Sequence, residues 1–386
     1  MEVPAGMDVP DGCVLKLRKS IYGLKQAPRL FNKDLHKQLL KIGFERTHAD
    51  PCLYKLRGTE LFVCLYVDDL LMVHAPDVDP TAVLNGLKQV FQLGSVEPLE
   101  YFLGFEISPT DCGLHVGQRR YCLDMLRRFG FHNSTPVATP AAVLRNGIKL
   151  STGELLDGNE VSDYRAKVGS LLWLALGSRP DIAHAVVRLA RLVKEPTVRA
   201  LKACHRVFRY LRGTSDHALH YDDGSLCLEG QCDASWGNDL DTRRSYGGHL
   251  FKLTTTGALV SWRSSLQPTV ATSSTCAEYM QNSEAAREAV WLRRLANDLG
   301  IPTNGPTVIQ QDNEGARALT EDCVLHRRSK HIDIKYHHVR ELVDRGVIVF
   351  KHVPTNTLAA DVMTKPLSRP TFQRFVKQLF GDAPWG

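Results

Sequence analysis

These 386 residues hold no run of apolar side chains long enough to cross a bilayer, which takes ~18–20 in a row. The opening segment, MEVPAGMDVPDGCVLKLRKS, lacks the apolar core of a secretion signal. Both absences predict a soluble, intracellular protein with no membrane partner. Ten cysteines are present, but no two show the Cys-x-x-Cys spacing of a zinc site, so no zinc is expected. Cys64 and Cys204 lie inside apolar stretches, where a free thiol behaves as a small hydrophobe. A reducing compartment suits that pattern. Internal repeats and low-complexity tracts are lacking as well, which argues against solenoids and disordered tails.

What is there is an ordinary folded composition, 43% apolar and 23% charged. The chain exceeds the ~150–250 residues at which single cores stop growing, so two or three domains are expected. The net charge of +6 is too small to name a partner, and its placement matters more.

Apolar spacing predicts a helix over about 26–42, then a hairpin of largely buried strands in ELFVCLYVDDLLMVHAP. A helix near 81–91, strand signal in EYFLGFEIS and a basic helix within 117–130 follow. Residues 136–160 turn to Pro, Gly, Ser, Thr, Asn and Asp, which reads as a linker. From 161 to 213 the pattern is helical. Beyond 225 the order is three strands, a long helix over about 276–299 closed by Gly300, a strand, one or more helices, a strand and a last helix around 358–364. The fold class expected is α/β (α+β) and multidomain.

Four acids in that last region fall at strand ends and helix starts: Asp233 on its first strand, Glu278 in the long helix, Asp312 after the fourth strand and Asp361 at the final helix. Phosphodiester hydrolysis calls for two hard cations about 4 Å apart, and magnesium is content with a few carboxylates plus water. Four acids from four elements could build such a clamp; any one alone is commonly a turn or cap residue. Asp68 and Asp69 lie between two apolar strands, where paired acids are costly unless a cation compensates them. An exposed Asp-Asp turn is the alternative there.

The helix over 197–211 is two-faced: Leu201, Cys204, Phe208 and Leu211 make an apolar stripe, and Arg199, Lys202, Arg206 and Arg209 a basic one without interspersed acids. A solvated face is one reading of the basic row, and phosphate contact the other. His326, Arg327, Arg328, Lys330 and Lys335 make a second basic cluster, whose histidines are read as surface or hydrogen-bonding groups.

The blocks QCDASWGND, SSTCAEYMQNSEAAREAVWLRRL, IQQDNEGA, RSKHIDIKYHHVRE and PTNTLAADVMTKPL resemble the ribonuclease H of copia-type retrotransposon Pol proteins. LRKSIYGLKQAPRLFNKDL, ADPCLY, LYVDDLLMV, LEYFLGFEI and TPVATP resemble the reverse transcriptase of the same family. YRAKVGSLLWLALGSRPDIAHAV ahead of HRVFRYLRGT resembles its connection segment. The resemblance implies a five-stranded mixed sheet with helices. It implies metal ligands at Asp233, Glu278, Asp312 and Asp361, with Mg2+ or Mn2+ as cofactor. Cys276 stands where the family usually has an acid, but the ligand Glu precedes an aromatic residue, as Glu278 precedes Tyr279. Residues two apart on a helix are ~200° apart, so position 276 would point away.

In the polymerase part the resemblance implies magnesium binding by Asp68 and Asp69, with Asp68 essential. A further catalytic Asp precedes Tyr-Gly-Leu-Lys-Gln by several tens of residues in the family, whereas here only 21 residues lie before Tyr22, and Asp8 is no substitute. The fingers and first catalytic strand are therefore expected to be missing and unaided polymerisation lost. The expected division is 1–140 partial reverse transcriptase (palm and thumb), 141–225 linker and helical connection, 226–366 ribonuclease H-like domain and 367–386 tail. The expected activity is metal-dependent cleavage of RNA in RNA–DNA hybrids. Partners would be that hybrid, primer/template nucleic acid and other Pol fragments, in cytoplasmic virus-like particles or the nucleus. The alternative is a decayed or domesticated protein that binds nucleic acid without cutting it.

Overall fold

Pro28 at one end and Gly43 at φ 107 at the other bracket the first helix, α1 (Ala27–Ile42), which turns Leu35 and Leu39 inward at the i, i+4 spacing of one helical face. The computed structural model of the protein describes residues 6–143 apart from 8, 11, 19 and 22, then 149–321 and 333–381. The chain divides into two units: Met1–Glu97 with Asp298–Gly300, and Pro98–Asn297 with Ile301–Gly386.

In the first unit α1 is followed by β1 (Phe44–Arg46), β2 (Leu53–Leu56), β3 (Leu61–Tyr66), β4 (Asp69–His74) and α2 (Thr81–Lys88), the strands forming an antiparallel sheet in that order. β3 buries alternate residues, Leu61, Val63 and Leu65, against Leu35, Phe44 and Val83. The predicted hairpin forms, but β4, at one edge of this sheet, buries none of its side chains fully.

The second unit begins with β5 (Tyr101–Phe102), β6 (Phe105–Thr110) and β7 (Gly113–Gly117), then the helices α3 (Arg119–Arg128), α4 (Gly158–Gly177), α5 (Ala183–Ala190) and α6 (Val198–Arg212). A reciprocal cap of Asp157 and Glu160 starts α4, and Thr197 caps α6 by accepting from Ala200 N. β8 (Leu219–Asp222), absent from the sequence reading, completes an antiparallel sheet β5-β6-β7-β8. Then come β9 (Glu229–Ser235), β10 (Tyr246–Lys252), β11 (Leu259–Leu266), α7 (Ser274–Leu299), β12 (Thr307–Gln311), α8 (Glu314–Glu321), α9 (Asp333–Asp344) and β13 (Ile348–His352). These five strands make one mixed sheet in the order β11-β10-β9-β12-β13, with β9, β12 and β13 parallel. This is the mixed five-stranded sheet with helices that was expected.

The expected last helix is instead a five-residue 3-10 turn, Ala359–Met363, and residues 367–386, read as a tail, include a true helix, α10 (Arg369–Phe380). α10 buries Phe372, Phe375, Leu379 and Phe380 at helical spacing. On the other face of the sheet Cys232, Ala234 and Phe350 pack against Ala277, Ala285 and Ala289 of α7. Among the described residues no helix is long and apolar enough to cross a membrane.

One ion pair organises the helical part. Arg179 and Asp181, with side chains 2% and 0% exposed, are joined twice, Nε to Oδ1 at 3.0 Å and Nη2 to Oδ2 at 2.8 Å. Arg179 also donates to the carbonyl and hydroxyl oxygens of Thr214, both at 2.7 Å, and Tyr210 donates its hydroxyl to Asp181 at 2.7 Å. Burial alone would raise the Asp181 carboxyl, but Arg179, His217 and Tyr210 outweigh it and hold it below the usual range. A fully satisfied pair of this kind is costly to break from one side. Asp181→Ala is therefore expected to lower the unfolding free energy by about 3–5 kcal/mol, read as a fall in the denaturation midpoint; an unchanged midpoint would refute the role given to this pair.

Candidate active site

β9 is the central strand of the five-stranded sheet, and its carboxyl end lies beside that of its parallel neighbour β12, the place where open α/β sheets present their functional groups. Alternation along β9 sends Cys232 and Ala234 into the core beneath α7 and leaves Gln231 and Asp233 facing the 3-10 turn. Asp312 follows β12 directly, and Glu278 projects from the start of α7. One carboxylate oxygen from each of Asp233, Glu278 and Asp312 lies within 4.8 Å of the others, the single group of three such side chains among the described residues.

The 3-10 turn is seated by specific contacts. Gln231 accepts from the backbone N–H of Ala359 at 2.7 Å and of Ala360 at 3.3 Å while donating to Gln310 on β12. Ser264 of β11 donates to Met363 O at 2.6 Å. Gly248, paired with Asp233 across the sheet, lets the turn approach, since a Cβ there would collide with Met363. Asp361 is brought next to Asp233 in this way. Thr364 donates its hydroxyl to Asp233, Thr355 donates to Asp312 at 2.7 Å, and Lys365 Nζ lies 2.7 Å from Asp361 Oδ1 and 4.0 Å from Asp233 Oδ2.

Electrostatics set these acids apart from surface carboxylates. Burial first, and then the charges of Asp233 and Asp312, push Glu278 well above the ordinary range. Burial also raises Asp233, against the pull of Lys365 and Thr364. Asp361 is pushed up to about 7 by burial and by the charge of Asp233. Ala234 N–H donates to Glu278, yet its Oε2 is buried with no hydrogen-bond partner among the described residues. A dry carboxylate oxygen without a donor, among further carboxylates, is the ligand set of a hard divalent cation, so these residues fit such an ion.

Asp68 and Asp69 occupy the tip of the β3–β4 hairpin, where Tyr66 pairs with Asp69 and Tyr66 through Asp69 are all exposed. Val67 stands at φ 55, a strained backbone for a β-branched residue and one that clusters at functional turns. No third metal-binding group joins them among the described residues. On α6, the arginines of the basic row engage the preceding linker: Arg199 donates to Thr152, Arg206 to Thr139 and Arg209 to Thr135 O, while Lys202 is exposed. The like charges of this row are thus offset in part by hydroxyl and carbonyl oxygens. His326, Arg327, Arg328 and Lys330 lie outside the described residues, as do Asp8, Tyr22 and the side chain of Lys335. Cys276 packs in the apolar core under the sheet.

Sequence reasoning passed over Gln231, Gly248, Thr364 and Lys365. The Gly-Gly pair inside the strand YGGHLFKL was a usable signal, since glycine in a strand marks a close approach. The contacts of Gln231, Thr364 and Lys365 join elements distant in sequence and leave no local pattern.

Residues 1–143 match the family described as reverse transcriptase (RNA-dependent DNA polymerase). The chain is 41% identical over 372 residues to the retrovirus-related Pol polyprotein from transposon RE1 of Arabidopsis thaliana, covering 95% of this chain and 25% of that protein. It is 32% identical over 281 residues to a putative transposon Ty5-1 protein of Saccharomyces cerevisiae, covering 71% of this chain and 89% of that one. The chain spans about a quarter of the length of the Pol polyproteins it matches. Among solved structures, LC11-RNase H1 in complex with RNA/DNA hybrid is 16% identical, covers 36% of this chain and 93% of its own, and gives a TM-score of 0.27, too slight a likeness to carry weight.

A cation at the acid cluster must compete with protons. Raised carboxyl pKa values favour the protonated folded state, so the metal-free protein loses this contribution to stability as pH rises from ~4, the usual carboxyl value, to about 7, the value at Asp361. The thermal stabilisation given by Mg2+ over EDTA is therefore expected to grow across that interval and to vanish in Asp233→Asn. A gain independent of pH, or retained in Asp233→Asn, would rule the cluster out as the cation site.

Proposed function

The chain belongs to the copia-type retrotransposon Pol family, and from that premise we propose that it carries a ribonuclease H that cuts the RNA strand of RNA–DNA hybrids. The observation that carries this reading is the convergence of Asp233, Glu278 and Asp312, with Asp361 alongside Asp233, at the carboxyl end of the central strand. Asp233, Glu278, Asp312 and Asp361 would hold Mg2+ or Mn2+. A pair of such ions, when bound, supplies activated water and a counter-charge for the leaving oxygen.

The chain's own groups prepare that site. Thr364 fixes the Asp233 carboxylate by its hydroxyl, Gln231 ties the 3-10 turn to β9 and β12, and Ala234 N–H steadies Glu278. Asp312, held by Thr355, is the most exposed of the four acids and the one a substrate strand would meet first. Selection of a hybrid would rest on backbone shape and 2′-hydroxyl contact rather than base reading. Lys202 and the outward guanidinium edges of Arg199 and Arg209 are candidates for phosphate contact, as are Arg327, Arg328 and Lys330 on the sequence reading. The Asp68–Asp69 hairpin is read as the catalytic tip of the family's polymerase, acting on primer and template. Work in the cytoplasm within a virus-like particle, beside other Pol fragments, fits this role.

A hybrid carrying labelled RNA is expected to be cut in Mg2+ by the purified full chain, and Asp312→Asn to lower the rate by at least ~100-fold, since even outer partners of metal ligands cost 10–100-fold. Equal binding with no cleavage by either protein would instead favour a non-catalytic binding module. Because Asp68 and Asp69 gather no third acid among the described residues, primer extension by this chain alone is expected to be undetectable. Robust extension on a heteropolymeric template would overturn that part.

A further inference from the structure

Asp361 stands apart from the three acids that share one site: its Oδ1 is engaged by Lys365 Nζ at 2.7 Å. Lys365 is four residues after Asp361, and its backbone N–H donates to Asp361 O at 3.1 Å, so one turn of chain holds both in register. Pro366 follows and restricts the backbone of Lys365 further. A lysine stem has the reach to carry its ammonium into water. This one keeps it inside, with the side chain 32% exposed and Nζ 4.0 Å from Asp233 Oδ2. The ammonium therefore sits between two carboxylates that would otherwise repel each other across a short, poorly hydrated gap.

We propose that Lys365 is an internal cation that holds the Asp361 side of the cluster in the metal-free protein and has to be displaced before a divalent ion can bind there. The inference rests on the nuclease reading above and adds to it a competition within the site. The Asp233–Glu278–Asp312 group meets the ammonium only through Asp233, at 4.0 Å against 2.7 Å for Asp361, and accepts a first cation directly. A second ion at Asp361 meets a positive charge already in place, and its arrival turns the ammonium outward. Charge balance agrees with this order. Four carboxylates tolerate one dication plus one ammonium, whereas two dications already neutralise them and the lysine becomes surplus. The lysine thereby sets the concentration at which the site fills.

Calorimetric titration of the full chain with Mg2+, in the absence of nucleic acid, tests this. Lys365→Met is expected to tighten the weaker binding step about tenfold, which is ~1.4 kcal/mol, and to melt lower than wild type in EDTA. Lys365→Arg, which keeps the charge, is expected to bind Mg2+ as wild type does. A wild-type protein that takes up no Mg2+ overturns both the nuclease reading and this inference. If wild type binds and Lys365→Met binds no more tightly, the inference alone falls. Should the methionine variant fail to fold, acetylation of wild type read by mass spectrometry decides the matter: faster labelling of Lys365 in Mg2+ than in EDTA supports displacement, and equal labelling refutes it.

Discussion

Carboxylates crowded into a dry space repel one another, and the architecture around β9 exists in the form it does because that repulsion has to be contained. Asp233, Glu278 and Asp312 come from a strand, a helix and a strand-to-helix junction, so no local rearrangement lets them drift apart. The sheet register holds Asp233 opposite Gly248, the 3-10 turn is pinned by Gln231 and Ser264, and Thr364 donates into the cluster. Strain of this type is found where a protein keeps groups ready for a ligand, since the ligand relieves what the fold has stored. The site therefore explains features of the sheet that packing does not, among them a bare glycine in the middle of a buried strand.

Most secondary structure was readable because its signals are local. The α6 stripe of Cys204, Phe208 and Leu211, with Thr197 as cap, appears in the structure as the spacing implied. The long α7 and the strands β9 to β13 likewise follow apolar period and turn chemistry. β8 was not legible: Leu-His-Tyr-Asp is too short for its alternation to stand out, and its strand state comes from pairing with β7. α10 carried a local signal that the sequence reading passed over, Phe372, Phe375, Val376, Leu379 and Phe380 at the spacing of one helical face; only its partners Tyr210 and Arg179 lie far back in the chain. The four acids Asp233, Glu278, Asp312 and Asp361 could be named from the motif order, but the residues that restrain them could not.

The two kinds of acidic site in this chain differ in physical setting. Asp68 and Asp69 are exposed at a strained turn, and among the described residues of their unit nothing forces a cation on them. The cluster on β9 is shielded, and its members feel one another strongly. The basic row of α6 shows how a surface read from sequence as free charge can be partly occupied by the protein itself, its guanidinium groups holding the carbonyl and hydroxyl oxygens of the preceding segment.

A single apolar core runs from Leu171, Val186 and Phe208 of the connection helices through Leu250, Leu259 and Val362 to Phe375 and Leu379. Among the described residues the five-stranded sheet has no separate lining on that side; the helices before it and the helix after it are its inner wall. Selection acting on such elements would pass this stretch on as one heritable block. A recombination junction placed just ahead of β9 would join a sheet from one lineage to helices from another along a greasy seam neither had evolved to fit. Crossovers between related transposons should accordingly leave their scars elsewhere.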